Sequence, residues 1–194
     1  MAKLYFRYGA MNSGKSTLLL QTCHNYEENN MKVIIVKPSV DTKGKEKIVS
    51  RIGVEKEVDL LLGSEDNLFD IVKKKYKNIN CVLVDEAQFL KRKQADQCME
   101  IVIKLDIPVI CYGLRTDFLT NGFEGSTRLL EIAHTIEEMK TICKCGRKAI
   151  YNARYVNGKF ITKGSQVAID GEKNVTYTSM CAKCYEKEKN KIDK

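Results

Sequence analysis

Residues Gly9 to Ser16 have the composition of a loop that binds phosphate groups. They read GAMNSGKS and match the pattern GxxxxGKS between a strand-like segment and a helical stripe, the setting that this motif requires. Backbone N–H groups in such a loop can cradle phosphate oxygens, Lys15 can reach the β- and γ-phosphates, and the Ser16 hydroxyl can ligate Mg²⁺. ATPases, GTPases and small-molecule kinases all use this loop, so it does not identify the acceptor.

A pair of carboxylates directly follows an apolar strand-like run, Cys81 to Val84. The sequence Asp85-Glu86-Ala87-Gln88-Phe89 resembles a Walker B element, in which Asp85 would hold magnesium through a water molecule. Glu86 can either orient a water for hydrolysis or accept a proton from a substrate hydroxyl. Both a motor ATPase and a kinase remain possible on these residues. A solvated strand end that caps a helix is the structural alternative, and four preceding apolar residues make it less favourable.

Four cysteines near the C-terminus have the spacing of a metal site. Cys143 and Cys145 form one close pair, and Cys181 and Cys184 form another. Four thiolates satisfy a tetrahedral zinc ion without leaving an open position, so the sequence predicts a structural zinc site. Ordinary reduced cysteines are the alternative. The remaining cysteines fall in apolar runs or helical stripes and are predicted to be core residues: Cys23, Cys81, Cys98 and Cys111.

The first part of the chain alternates strand-like and helix-like segments. This order predicts an α/β domain with a mainly parallel sheet covered by helices. The strand candidates are Leu4 to Tyr8, Val33 to Lys37, Cys81 to Val84 and Val109 to Tyr112. Apolar residues recur at helical spacing over 18–26, 68–76 and 95–105. The polar stretch from Val40 to Lys56 is predicted to be a mobile loop.

The pattern changes to short alternating segments near Cys143. Asn157 and Gly158 suit a tight primed turn between two strands, 155–156 and 159–160. We therefore expect a nucleotide-binding domain over residues 1–140 and a small β-rich, zinc-binding lobe over 141–194.

Composition restricts the class of protein. A chain of 194 residues with 43% hydrophobic residues can bury one full core but cannot form a large multidomain machine. The net charge of +8 fits a pocket for anionic phosphates as well as a nucleic-acid partner, and the basic clusters are not interleaved with aromatics. We expect no nucleic-acid or membrane partner. The N-terminal segment has no signal-peptide pattern, which favours a cytoplasmic protein with reduced or metal-bound cysteines.

Taken together, GAMNSGKST, VDEAQF, GLRTDFLTNGF and the two cysteine pairs resemble the zinc-containing, cytosolic-type (type II) thymidine kinase family over nearly the whole chain. The resemblance implies a RecA-like domain and a lasso-like loop in the zinc-held lobe that closes over thymidine. It also implies Mg-ATP as donor, phosphorylation of thymidine and of deoxyuridine at the 5′-hydroxyl, and a role in nucleotide salvage for DNA synthesis. A homotetramer and feedback inhibition by dTTP are further implications.

The resemblance also implies roles for individual residues. Glu86 corresponds to the general base. The ATP and phosphate site would comprise Gly9, Met11, Asn12, Ser13, Gly14, Lys15, Ser16, Thr17, Asp41, Arg51, Asp85 and Gln88. The nucleoside pocket would comprise Met11, Gln88, Phe89, Leu114, Phe118, Phe123, Ile169, Gly171 and Tyr177. The chain departs from the family pattern at Lys43, where an arginine is common, and at Asp170, where a glycine is usual.

Two other functions compete with the kinase. A nucleic-acid-dependent P-loop ATPase would use the positive charge, the Asp-Glu-Ala-Gln tetrad and a zinc module. It predicts hydrolysis stimulated by polynucleotides, but 194 residues leave no room for a helicase-like second domain. A non-enzymatic zinc-ribbon adaptor would not explain an intact phosphate loop followed by an acidic strand end.

Overall fold

A parallel β-sheet with helices on both faces positions the site. The computed structural model describes residues 1–39, 47–50, 53–166 and 174–192. In chain order the strands are β1 (Leu4–Tyr8), β2 (Val33–Pro38), β3 (Lys47–Val49), β4 (Glu55–Glu57), β5 (Leu60–Leu62), β6 (Cys81–Val84), β7 (Val109–Gly113), β8 (Thr135–Glu138), β9 (Thr141–Ile142), β10 (Lys148–Ala149), β11 (Tyr151–Val156), β12 (Lys159–Phe160) and β13 (Val175–Met180). The helices are α1 (Lys15–Glu28), α2 (Leu68–Lys75), α3 (Arg92–Leu105), α4 (Glu124–Ile132) and α5 (Ala182–Lys189), with a short 3₁₀ helix at Ala87–Phe89.

The main sheet has six strands in the order β5-β2-β6-β7-β1-β8, and every neighbouring pair is parallel. The four strands predicted from the sequence are β1, β2, β6 and β7, and they occupy the interior of the sheet. The mainly parallel α/β fold is thus confirmed. The sequence analysis did not single out the edge strands β5 and β8, because β5 is apolar but only three residues long and β8 contains a single apolar residue, Ile136.

Alternation along the interior strands separates two apolar layers. On one face, side chains such as Ile34, Val82 and Cys111 pack with α2, α3 and α4. On the other face, Ile35 and Leu83 pack with α1. Because both faces are covered, β2, β6 and β7 read as nearly continuous apolar runs rather than as alternating ones. No helix among the described residues is long and apolar enough to cross a membrane.

The prediction of a mobile loop from Val40 to Lys56 is wrong for part of that stretch. The strands β3 and β4 pair antiparallel, with Ile48 opposite Lys56. Ile48 is buried and packs in the same apolar layer as α1. Ile48 is the one buried residue of β3 and β4, since its apolar neighbour Val49 is 57% exposed, and a single buried side chain is too short a pattern to recognise in the sequence. Residues 40–46 and 51–52 lie outside the described part of the chain.

The C-terminal segment forms a small antiparallel sheet in the order β12-β11-β13. The predicted hairpin is β11–β12, and its turn residues Asn157 and Gly158 have φ of 50° and 75°, as a primed turn requires. Tyr151 and Phe160 pack edge-on against Tyr185 of α5, with ring centroids 5.2 and 5.3 Å apart. The segment therefore has a small apolar cluster of its own. The domain boundary at residue 140 stays a prediction.

Helix α4 begins where it touches the 3₁₀ helix, and this contact leaves no room for a side chain at Gly125. A Cβ atom there would lie 2.6 Å from the carbonyl oxygens of Ala87 and Leu90. We expect Gly125→Ala to lower the free energy of unfolding by about 1–3 kcal/mol, because overpacking against backbone outweighs the ~0.5–1 kcal/mol that alanine gains in a helix. Urea denaturation measures the change. Lys93→Ala, an exposed substitution on α3, is the control and should stay within about 0.5 kcal/mol of the parent. Equal stability of the two variants would contradict the argument.

Candidate active site and metal centre

The phosphate loop follows β1, and its first residue, Gly9, lies where the backbone packs too closely for a side chain. Gly9 donates its N–H to the carbonyl of Gly113 at 3.2 Å, and a Cβ on Gly9 would lie 2.5 Å from the carbonyl oxygen of Met139. Two further residues, Asn12 and Gly14, have left-handed φ of 65° and 79°. These conformations bring the loop around to the N-terminus of α1, where backbone N–H groups favour anions.

Lys15 is the first residue of α1, and its side chain folds back over the loop. Its Nζ donates to the carbonyl of Ala10 at 2.9 Å and to Ser13 Oγ at 3.3 Å. The ammonium group is therefore held at the mouth of the loop. Ser16 and Thr17 follow in the first turn of the helix, so the structure brings together the whole predicted set from Gly9 to Thr17.

Asp85 lies at the carboxyl end of β6, in the interior of the sheet, and is 5% exposed. Burial raises the pKa of Asp85 to about 7, and the adjacent charge of Glu86 raises it as well. The Glu86 N–H and the charges of Lys37 and Lys15 act in the opposite direction. Acidic and basic groups therefore lie together beside the phosphate loop. A phosphate group bound with magnesium needs charges of both signs around it.

Glu86 has a left-handed backbone, with φ of 49°, where the chain leaves β6. Its half-buried carboxylate accepts a hydrogen bond from Nε2 of Gln88. Gln88 is itself 2% exposed, and its Oε1 accepts from the N–H of Leu114 at 3.0 Å. Because the backbone of Leu114 fixes the amide, Gln88 can orient Glu86.

The aromatic candidates for the nucleoside pocket form two groups. Phe89 and Phe123 pack edge-on with ring centroids 5.7 Å apart. Phe118 is 2% exposed, and the guanidinium of Arg154 lies 3.6 Å from its ring centroid. The same guanidinium donates from Nε to the hydroxyl of Tyr177 at 2.8 Å. Phe118 and Tyr177 are therefore linked through one buried cation.

Several predicted site residues lie outside the described part of the chain. In the phosphate site these are Asp41 and Arg51, and in the nucleoside pocket they are Ile169 and Gly171. The remaining pocket candidates are Met11, which lies in the phosphate loop, and Leu114, which directly follows β7.

The thiols of Cys143, Cys145, Cys181 and Cys184 converge, and all four sulfur atoms lie within 4.8 Å of one another. A tetrahedral zinc ion with Zn–S bonds of ~2.3 Å places its sulfur ligands ~3.8 Å apart, so this cluster fits zinc. The backbone N–H of Arg147 and the neighbouring thiols lower the pKa of Cys145 to about 6, which favours the thiolate that binds metal. The Sγ of Cys181 also accepts from the N–H of Cys184 at the start of α5.

Sequence reasoning missed buried polar residues that surround the site. Asn152 and Arg154 on β11, Ser179 on β13 and Lys37 at the end of β2 are all less than 8% exposed. In a strand pattern such residues are typical of a solvent-exposed face, so no sequence signal could have marked them as buried. The burial of each residue is explained only by the residues that surround it in the fold.

Comparison with known proteins identifies the family. A family model described as thymidine kinase matches residues 2–185. A thymidine kinase of Haemophilus influenzae is 47% identical over 196 residues, covering 99% of this chain and 100% of the relative. Thymidine kinases of Rhodopirellula baltica and Shewanella oneidensis are 49% and 48% identical, covering 93% and 94% of this chain and 86% and 96% of those proteins.

Among solved structures, the chain matches the Pif1 helicase of Candida albicans with a TM-score of 0.42 and 16% identity, over 73% of this chain and 36% of that one. This likeness is too low to bear on fold or function. The family match, by contrast, spans the phosphate loop, the acidic strand end and the cysteine cluster together. The chain belongs to the thymidine kinase family.

Proposed function

We propose that this chain transfers the γ-phosphoryl group of ATP to the 5′-hydroxyl of thymidine, with Glu86 as the general base. Membership of the family supports thymidine phosphorylation by ATP. The observation that carries the residue assignment is the fixed carboxylate at the end of β6, oriented by Gln88 beside the phosphate loop. A carboxylate at this place could also orient a water for hydrolysis in a motor ATPase, so membership of the thymidine kinase family decides between the two functions.

In the proposed mechanism, Glu86 accepts the proton of the 5′-hydroxyl as the oxygen attacks the γ-phosphorus in line. The bond from the γ-phosphorus to the β,γ-bridging oxygen breaks, and ADP leaves with that oxygen. Lys15 and the N–H groups of the loop bind the phosphate oxygens as charge develops on them. Magnesium, when bound near Ser16 and Asp85, supplies positive charge that neutralises the phosphates. Most of the rate enhancement comes from positioning, and Gln88 contributes to it by restricting the Glu86 side chain.

The nucleoside would bind among apolar and aromatic side chains at the ends of β6 and β7. Phe89 is half-buried and offers a flat ring to thymine, whereas Phe118 and Phe123 are 2% and 5% exposed and would support the pocket from below its surface. Met11 and Leu114 would close the sides. The hydroxyl of Tyr177, held by Arg154, is placed for a polar contact with the sugar or base. Deoxyuridine would be accepted as well, because it differs from thymidine by one methyl group, worth about 1–3 kcal/mol in a hydrophobic pocket.

The cysteine cluster is proposed to hold one structural zinc ion. All four ligands would come from the protein, so no position is left for a substrate. Cys143 and Cys145 precede β11, and Cys181 and Cys184 follow β13, so the metal would join the two chain segments at the end of the small antiparallel sheet where Tyr151 pairs with Met180.

The assigned reaction is tested with γ-labelled ATP, Mg²⁺ and either thymidine, deoxyuridine or single-stranded DNA. We expect label in thymidine monophosphate. Glu86→Gln, which keeps an oxygen that can accept from Gln88, should lower kcat by about 10²–10⁴-fold, because proton transfer is lost. ATP binding by the variant should change by only a few-fold. Glu65→Gln, at an exposed position away from the site, is the matched control and should retain activity.

A different product pattern would refute this assignment. Label released only as inorganic phosphate, and increased by DNA, would indicate a polynucleotide-dependent ATPase. Full activity of Glu86→Gln would leave thymidine phosphorylation in place and assign the base elsewhere.

Zinc content tests the metal proposal. Elemental analysis should find one zinc per chain, and Cys184→Ser should lose it. The melting temperature should fall by about 10 °C or more, since metal binding contributes folding free energy. Cys23→Ala, which removes a buried thiol outside the cluster, should keep the metal. Retention of zinc by Cys184→Ser would contradict a four-cysteine site.

Family resemblance also leads us to propose a homotetramer inhibited by dTTP. Light scattering should then give about 88 kDa, four times the 22.1 kDa chain. Added dTTP should raise the apparent KM for ATP or thymidine. A monomer that is fully active and insensitive to dTTP would refute both statements for this protein.

A further inference from the structure

Side chains of the C-terminal segment hydrogen-bond directly to the backbone of the phosphate loop. Asn152 Oδ1 accepts from the N–H of Met11 at 2.7 Å, and Ser179 Oγ donates to the carbonyl of Met11. One residue later, Thr141 Oγ1 donates to the carbonyl of Asn12 at 3.3 Å. Three separate strands, β11, β13 and β9, therefore contact two consecutive residues of the loop. We call Asn152 and Ser179 the loop clamp.

The loop clamp is built into a protected environment. Asn152 is 3% exposed and Ser179 is 7% exposed. Asn152 also donates from Nδ2 to the carbonyl of Thr116 at 3.4 Å, which connects the loop to the segment after β7. Both backbone polar groups of Met11 are satisfied by this pair of side chains. A buried N–H or carbonyl that loses its partner costs more than the hydrogen bond is worth in water, so the clamp resists opening.

The two halves of the loop are held in different ways. From Gly14 onward, the backbone continues into α1, and helix geometry fixes its N–H groups. Met11 and Asn12 precede the helix, and Asn12 has a left-handed φ of 65°. Ordering a loop when the ligand binds costs conformational entropy and weakens the affinity. A short loop that is already ordered therefore binds phosphate more tightly. The clamp supplies that ordering from outside the nucleotide-binding fold.

From this geometry we infer that Asn152 and Ser179 are positioning residues for the nucleotide: they set the shape of the phosphate loop before ATP binds. The affinity for nucleotide phosphates therefore depends on the C-terminal sheet, because both residues hydrogen-bond to the backbone of the loop. The inference rests on the proposed assignment of the loop to ATP, but it does not depend on which alcohol accepts the phosphoryl group.

Thermodynamic coupling between nucleotide binding and the C-terminal sheet gives a measurable effect that packing alone would not produce. If the clamp couples the sheet to the loop, bound nucleotide must stabilise the sheet by the same free energy by which the sheet favours the nucleotide. Amide hydrogen exchange in β11 and β13 should consequently slow when Mg-ADP binds to the full-length protein. A clamp that only joins two parts of the fold would not produce this slowing.

The experiment measures Mg-ADP affinity by calorimetry at 25 °C for Ser179→Ala and Asn152→Ala, with folding verified by circular dichroism. Each variant should bind Mg-ADP about fivefold more weakly, which corresponds to about 1 kcal/mol. The slowing of exchange in β11 and β13 should shrink in both variants. Thr176→Ala, an exposed substitution on the same strand as Ser179, should match the parent protein in both measurements.

Binding within twofold of the parent in folded Ser179→Ala and Asn152→Ala would overturn the inference. So would an equal loss of affinity in Thr176→Ala, because the effect would then come from a weakened sheet. If Asn152→Ala does not fold, Ser179→Ala decides alone, since it removes a single hydroxyl. Since ADP binding requires no acceptor, failure to phosphorylate thymidine would refute the proposed function and leave this test intact.

Discussion

The close approach of strand ends at one edge of the parallel sheet is the constraint on which the site depends. Gly9 directly follows β1 and packs against the backbone of Met139. Gly113 ends β7, and a Cβ atom there would lie 2.9 Å from Gln88 Oε1. The second contact places Gln88 where the N–H of Leu114 can fix it and where it can reach Glu86. Close backbone approach at these two glycines therefore places the start of the phosphate loop and the Gln88 side chain, and the hydrogen bond from Gln88 in turn holds the carboxylate.

The C-terminal sheet completes this edge rather than standing apart from it. Tyr185 donates its hydroxyl to the carbonyl of Phe118 at 2.6 Å, and Arg154 covers the ring of the same phenylalanine. Arg154 also donates to the carbonyls of Ser165 and Gln166, at 2.7 and 2.9 Å. Burying this cation costs desolvation free energy, but moving it would break all of these contacts at once. Arg154 therefore favours one arrangement of the aromatic rings around it.

Much of the fold and part of the site could be predicted from sequence, and the division has a physical basis. Continuous apolar runs identify strands buried on both faces, and the phosphate loop and cysteine pairs depend on local spacing, so β2, β6 and β7 were predictable. The anchoring of Ile48 and the burial of Asn152 and Arg154 depend on distant partners. Strand periodicity alone cannot reveal which polar side chain will find such a partner. The assigned roles of Glu86 and the pocket residues stay predictions.

The left-handed backbone of Glu86 costs folding free energy at the position that we propose for the general base. Such a conformation costs a residue with a Cβ of order 1 kcal/mol or more, and glycine or asparagine adopts it more readily. Selection for stability alone would therefore replace this glutamate. The protein therefore keeps local backbone strain at the end of a fully buried strand, where the Glu86 carboxylate is held in one orientation.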